Sequence, residues 1–150
     1  MTEVLFYHLE RASLESVLPG LLEKTLARGW KAVIRCGAAD AVARLDEHLW
    51  TYSEESFLPH SAETEGAACE PVFITETDEI PNGADLLFLV DNASADASSL
   101  SAFTRCVTIF DGGDEEAVAA ARGFWKDVKA DGHEATYWKQ SPQGRWEKEA

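Results

Sequence analysis

Long apolar runs and paired cysteines are both missing from this chain of 150 residues. No apolar stretch approaches the roughly 20 residues that a membrane-spanning helix needs, which excludes a membrane-spanning protein of that kind. The three cysteines, Cys36, Cys69 and Cys106, lie more than thirty residues apart and form no CxxC pair, which argues against a disulfide framework or a zinc ribbon. The first residues carry no positive charge and no small-residue cleavage site, so we expect a cytoplasmic protein.

Positive charge is absent from the middle of the chain. Residues 45–104 contain thirteen Asp and Glu and no Lys or Arg, and the chain as a whole has a net charge of −14. Proteins that bind nucleic acid directly usually neutralise its phosphates with a basic face. Direct binding of DNA is therefore disfavoured. A local basic patch in the last third remains compatible with this charge, because exposed charges more than about 10 Å apart are largely screened at 0.1 M salt.

Motifs for nucleotide binding and catalysis are also missing. No GxGxxG, GxxxxGK[ST] or GxSxG motif occurs, and the four histidines show no metal-ligand spacing. One glycine pair, Gly112-Gly113, follows a predicted strand, but the acidic residues at 114–116 would repel a phosphate at the helix start. We interpret this pair as a turn before a helix cap. We expect no catalytic residue, no cofactor and no metal, and a small nucleotide-binding enzyme on the same fold stays open as an alternative.

Strand and helix patterns alternate along the sequence. Apolar runs typical of buried strands occur at 4–9, 32–34, 71–74, 86–90 and 107–110. Helical spacing follows at 14–26, where Pro19 either begins or kinks the helix, then at about 40–49 and at 114–129. The segment from Trp50 to Pro71 has no periodicity and predicts a long loop, and 136–146 predicts a β-hairpin. The pattern predicts one α/β domain over residues 1–150, with a mostly parallel sheet flanked by helices and a C-terminal hairpin.

The last predicted helix carries a basic stripe. Arg122, Lys126 and Lys129 stand at i, i+4 and i+7, and Phe124 and Trp125 lie between them. The stripe is compatible with an ordinary solvated helix face whose aromatic residues cover the core. It is also compatible with a pocket for an acidic peptide, in which arginine binds a carboxylate and an aromatic ring receives an apolar side chain.

A second group of aromatic residues lies in and beside the acidic central segment. Residues 45–50 read LDEHLW and residues 56–60 read SFLPH, so that Trp50, Phe57 and Leu58 concentrate apolar area there. Exposed aromatic residues mark partner sites. The alternative is a loop that its aromatic side chains hold against the core.

These two segments carry a resemblance to a known family. The chain resembles the chi subunit of bacterial DNA polymerase III, an accessory protein of the clamp loader. The resemblance rests on FYHL at 6–9, LDEHLW at 45–50, SFLPH at 56–60, FD at 110–111 and ARGFWK at 121–126. It implies a Rossmann-like α/β fold without a nucleotide site, and a protein that is not itself an enzyme.

The resemblance also implies partners. Chi proteins bind the acidic C-terminal tail of single-stranded DNA-binding protein (SSB), which assigns Arg122, Trp125, Lys126 and Lys129 to the tail site.

A second partner, psi or another clamp-loader subunit, would contact Trp50, Phe57, Leu58 and Pro59. The implied function links the clamp loader to SSB in DNA replication, with DNA contacted only indirectly. An interaction module outside replication, acting through the Trp50–Phe57 surface, is the remaining alternative.

Overall fold

The described part of the chain contains eight strands and three helices. The computed structural model describes residues 2–9, 14–51, 60–61, 72–76, 84–90, 93, 100, 103–140 and 146–148, without the side chains at 15–16, 19, 46, 48–51, 60–61 and 140. The elements in chain order are β1 (Glu3–Leu9), α1 (Leu14–Ala27), β2 (Ala32–Arg35), α2 (Ala39–Thr51), β3 (His60–Ser61), β4 (Val72–Thr75), β5 (Leu86–Leu89), β6 (Arg105–Asp111), α3 (Glu115–Ala130), β7 (Glu134–Gln140) and β8 (Trp146–Lys148).

The strands form one mixed sheet in the order β3-β4-β2-β5-β6-β1-β7-β8. Every pairing is parallel except that of β7 with β8, which is antiparallel. β1 lies between β6 and β7, and Phe6 stands opposite Thr108 on one side and Tyr137 on the other. The predicted α/β class, its mostly parallel sheet and its C-terminal strand pair are confirmed.

The two faces of the sheet carry separate hydrophobic cores. Successive strand residues point to opposite faces, so Leu5 belongs to the core beneath α1 and α2, whereas Phe6 belongs to the core beneath α3. Strands β4 and β5 are buried at every position, as expected for parallel strands covered on both sides. The basic stripe predicted above therefore lies on α3, the helix that covers the second of these cores.

The helix boundaries follow from local signals. Gly29 and Gly132, just beyond α1 and α3, have φ of 78° and 83°, a left-handed conformation that glycine adopts without strain. α3 begins after Asp114, as the sequence predicts. α1 runs through Pro19 rather than starting beside it, so the longer of the two predicted helices is the one that forms.

The predicted loop over 50–71 is only partly correct. α2 continues to Thr51, and β3 at His60–Ser61 pairs in parallel with β4. Two residues are too few for a period-2 pattern, which is why the sequence did not indicate this strand. Residues 81–83 and most of the segment 91–101 lie outside the described residues.

Two ionisable side chains, the buried Cys106 and the half-buried Tyr7, make the stability of the fold sensitive to alkaline pH. Burial raises the pKa of the Cys106 thiol to about 12, and burial also raises the pKa of the Tyr7 hydroxyl, partly offset by Arg105. Above pH 9 the Cys106 thiol ionises in the unfolded chain but stays protonated in the native state. The native state therefore binds more protons, and the free energy of unfolding falls as pH rises. We expect the free energy of unfolding in urea to drop by about 2 kcal/mol between pH 8 and 10.5.

The matched control for this alkaline loss is Cys106→Ala, which removes the most strongly shifted of the two groups. Its stability should fall less steeply over the same pH range. An equal slope in the variant and the parent would contradict the assignment to this thiol.

Candidate functional site

A cavity of about 360 Å³ lies beside α3, and Ala121, Arg122, Trp125, Lys126 and Tyr137 line it. Four of these residues come from α3, and Tyr137 comes from β7 on the sheet beneath. Arg122 and Lys126 are exposed, whereas Trp125 and Tyr137 are half-buried. We call this the α3 cavity. It combines an aromatic and aliphatic interior with two cations, a composition suited to a ligand that has both apolar and anionic groups.

Trp125 is held in place from several sides. Its ring centroid lies 5.2 Å from that of Phe6 and 6.3 Å from that of Tyr137, both in edge-on geometry. Lys129 Nζ lies 5.2 Å from the centre of the Trp125 ring, within cation–π range. The indole therefore packs against the core and lines the cavity at the same time. The helix spacing brings all four predicted residues to one side of α3.

Tyr137 lines the cavity, and the sequence did not indicate it. Its hydroxyl forms a hydrogen bond of 2.5 Å with His8 Nδ1, and its ring also packs against Phe110 at 6.0 Å. The His8 ring occupies the space beside Gly112, where a Cβ would lie 1.9 Å from His8 Nε2. Glycine at 112 thus permits the histidine that positions Tyr137.

The helix start at Asp114 is an internally satisfied cap. Asp114 Oδ1 accepts hydrogen bonds from the backbone N–H groups of Glu116 and Ala117, at 3.0 and 3.4 Å. The N–H of Gly113 donates to Asp111 Oδ1 at 2.8 Å. Side-chain carboxylates thus use the N–H groups that a phosphate would need. The interpretation of the glycine pair as a turn before a cap is confirmed.

The comparison with known proteins identifies the family. A family model described as "DNA polymerase III chi subunit, HolC" matches residues 1–136. The chain belongs to the chi subunit family of DNA polymerase III. It is 29% identical to "Probable DNA polymerase III subunit chi" of Rickettsia prowazekii (strain Madrid E) over 91 residues. That alignment covers 60% of this chain and 55% of the relative, so it spans about half of the relative's length.

Two positions beside the predicted site residues contribute no positive charge. Val118, earlier on α3, is half-buried and packs against the core beneath α3. Asp111, at the end of β6, is exposed and accepts the Gly113 hydrogen bond. The cationic groups that line the cavity are those of Arg122 and Lys126.

The predicted psi-facing surface falls outside the described residues. Phe57, Leu58 and Pro59 are not described, and Trp50 is described only as part of the α2 backbone. The assignment of these residues to a partner surface therefore stays a prediction.

Neither a metal cluster nor a membrane helix is found in the described ranges. Among those residues, no group of three or more His, Cys, Asp or Glu side chains could hold a metal ion. Within the same part of the chain, no helix is long and apolar enough to cross a bilayer. The two described cysteines, Cys36 and Cys106, are buried and are not joined in a disulfide.

Proposed function

We propose that this protein acts in DNA replication as a non-catalytic accessory subunit of DNA polymerase III, which binds the acidic C-terminal tail of SSB in the α3 cavity. One observation carries the proposal: Arg122 and Lys126 line the same cavity as the half-buried Trp125. A protein with a net charge of −14 is poorly suited to bind DNA itself. It can still be held at single-stranded DNA through a protein that coats the DNA.

The binding energy must come largely from apolar contact. An exposed ion pair contributes about 0.2–1 kcal/mol, whereas micromolar affinity requires about 8 kcal/mol. Arg122 and Lys126 together therefore supply only a small part of this energy. The apolar residues of the tail, packed against Trp125, Tyr137 and Ala121, would supply most of the remainder. The cations would select an anionic chain end and favour its approach.

The test is a titration with a short SSB-tail peptide that ends in a free carboxylate. We expect saturable binding, and we expect the same peptide with a C-terminal amide to bind about threefold more weakly, because an exposed ion pair with Arg122 contributes about 0.2–1 kcal/mol. Raising the salt concentration should weaken only the charged part of the interaction. Equal affinity for both peptides would show that the terminal carboxylate does not contribute to binding.

The same role requires contact with the clamp loader. We assign this contact to psi or to another clamp-loader subunit, and to the surface formed by Trp50, Phe57, Leu58 and Pro59. Aromatic residues beside an acidic segment support this assignment, because hot spots in interfaces are enriched in tryptophan. Acting in replication, the protein would be cytoplasmic.

A further inference from the structure

A second cavity lies on the opposite face of the sheet. It measures about 400 Å³, and its lining includes Tyr7, Lys24, Arg28, Trp30, Arg105 and Trp146. We call it the α1 cavity, because α1 contributes Leu21 and Thr25 to its lining. Leu21 packs against the core beneath α1, and Thr25 lies in the same helix. The α3 cavity, in contrast, belongs to the other core. The two cavities are therefore separated by the sheet.

Cations surround one indole in the α1 cavity. The guanidinium carbons of Arg28 and Arg105 lie 5.3 and 5.2 Å from the centre of the Trp30 ring. Lys24, in the last turn of α1, adds a third positive charge. All three cations come from outside the acidic segment 45–104, so they form a local basic site on an acidic protein.

Arg105 has unused hydrogen-bonding capacity in this cavity. Its Nε is a buried nitrogen with no hydrogen-bond partner among the described residues. Its one described ion pair, from Nη2 to Glu3 Oε2, is long at 3.5 Å. A buried donor without an acceptor costs free energy, and such groups in native proteins usually have a partner. The missing partner is an acceptor oxygen that a ligand in the cavity can supply.

The rest of the lining is aromatic. Tyr7 packs edge-on against Trp146 at 4.7 Å and lies 6.4 Å from Trp138. The three rings are half-buried, so they present apolar area that is only partly covered. Aromatic and arginine side chains are the residue types that dominate binding hot spots. The site therefore suits an anionic group that is joined to an apolar side chain.

The surroundings favour a carboxylate over a phosphate. Lys24 and Arg28 stand at the C-terminal end of α1, where the helix dipole is negative and the main chain offers carbonyl groups instead of N–H donors. Phosphates are bound most readily at helix N-termini. Glu3 adds a further negative charge. A singly charged carboxylate meets less repulsion here than a doubly charged phosphate does.

We infer that the α1 cavity is a second binding site, whose ligand is an acidic peptide segment: a carboxylate pairs with Arg28 and Arg105, and a neighbouring apolar side chain packs on the aromatic lining. The site is independent of the proposed function, because it shares no residue with the α3 cavity. A protein with both sites could hold two acidic segments at once, one on each face of the sheet.

The test uses the intact chain labelled with 5-fluorotryptophan and observed by fluorine NMR. The five tryptophans are assigned with single Trp→Phe variants, so that the Trp30 and Trp125 signals report on the two cavities separately. The probe is the peptide acetyl-Asp-Asp-Leu-Phe with a free carboxylate. Its asparagine analogue with a C-terminal amide and adenosine monophosphate are titrated in parallel. We expect the acidic peptide to shift the Trp30 signal saturably, in the parent protein and in Arg122→Glu alike.

The variant Lys24→Glu/Arg28→Glu should raise the half-saturating peptide concentration at Trp30 by about tenfold or more, equivalent to 1.4 kcal/mol. Both residues are exposed, and an unchanged Trp125 signal will show that the fold is intact. The control Arg44→Glu/Lys148→Glu makes the same change in net charge at exposed positions outside the cavity lining, and it should leave the Trp30 response unchanged.

Three outcomes would overturn the inference. These are no response at Trp30, an equal response to the uncharged analogue, and a response to adenosine monophosphate at lower concentration than to the peptide. A Trp30 response without any Trp125 response would overturn the proposed function alone, so the two failures can be told apart.

Discussion

Replacing Arg122 with Glu is expected to weaken binding of the SSB-tail peptide by about tenfold. The substitution removes an exposed ion pair that contributes about 0.2–1 kcal/mol, and it places a carboxylate beside the carboxylate of the peptide, which adds a repulsion of similar size. Arg122 is exposed, so the fold should not depend on it. Fluorescence anisotropy of a labelled peptide, measured at constant ionic strength, gives the affinity directly.

The matched control is Arg44→Glu. It makes the same change in net charge at an exposed position on α2, a helix on the other face of the sheet. We expect at most a small change in affinity, because exposed charges beyond a Debye length are screened. If both variants lose affinity equally, the effect is one of overall charge, and Arg122 has no special contact with the tail.

The second large effect is on stability. Phe6→Ala should lower the free energy of unfolding by about 3–5 kcal/mol, because it removes a fully buried ring and leaves a cavity. Phe6 is 0% exposed, and its ring lies 5.7 Å from that of Phe124 and 5.2 Å from that of Trp125. For a domain of this size the melting temperature should fall by about 10 °C. Urea and thermal unfolding measure both quantities.

The matched control is Phe124→Ala, which makes the same side-chain substitution at another position of this core. Phe124 is half-buried, so less apolar area returns to water and a smaller loss is expected. Phe6→Ala should also weaken peptide binding where it still folds, because Trp125 loses the ring against which it packs. A greater loss of stability at Phe124 than at Phe6 would contradict the packing described for this face.

Local sequence signals predicted the elements of this fold well. The helix at 114–129 was recognisable from its acidic first turn and the glycine beyond its end, and the structure places α3 at Glu115–Ala130 with Asp114 as its cap. These signals act over a few residues, through backbone hydrogen bonds and the helix dipole. They therefore need no knowledge of the rest of the chain. The basic stripe of Arg122, Lys126 and Lys129 is local in the same sense.

Features that depend on strand order could not be predicted. Tyr137 reaches the α3 cavity because β7 lies next to β1, far from it in sequence, and because His8 on β1 holds its hydroxyl. The α1 cavity brings Arg28 and Trp30 together with Arg105, from two segments that are distant in sequence. Neither group of neighbouring side chains produces a periodic pattern in the sequence, because each depends on which strands pair.

The sequence by itself determined the α/β class, the position of the main elements, the basic face of α3 and the family to which the chain belongs. These follow from hydrophobic periodicity, capping residues and motif spacing, all of which are written within short segments. Only the tertiary structure decided that Trp125 both packs on Phe6 and lines a cavity with Tyr137, and that a second basic, aromatic cavity lies across the sheet. The reason is that long-range strand pairing, and not local propensity, sets which distant side chains become neighbours.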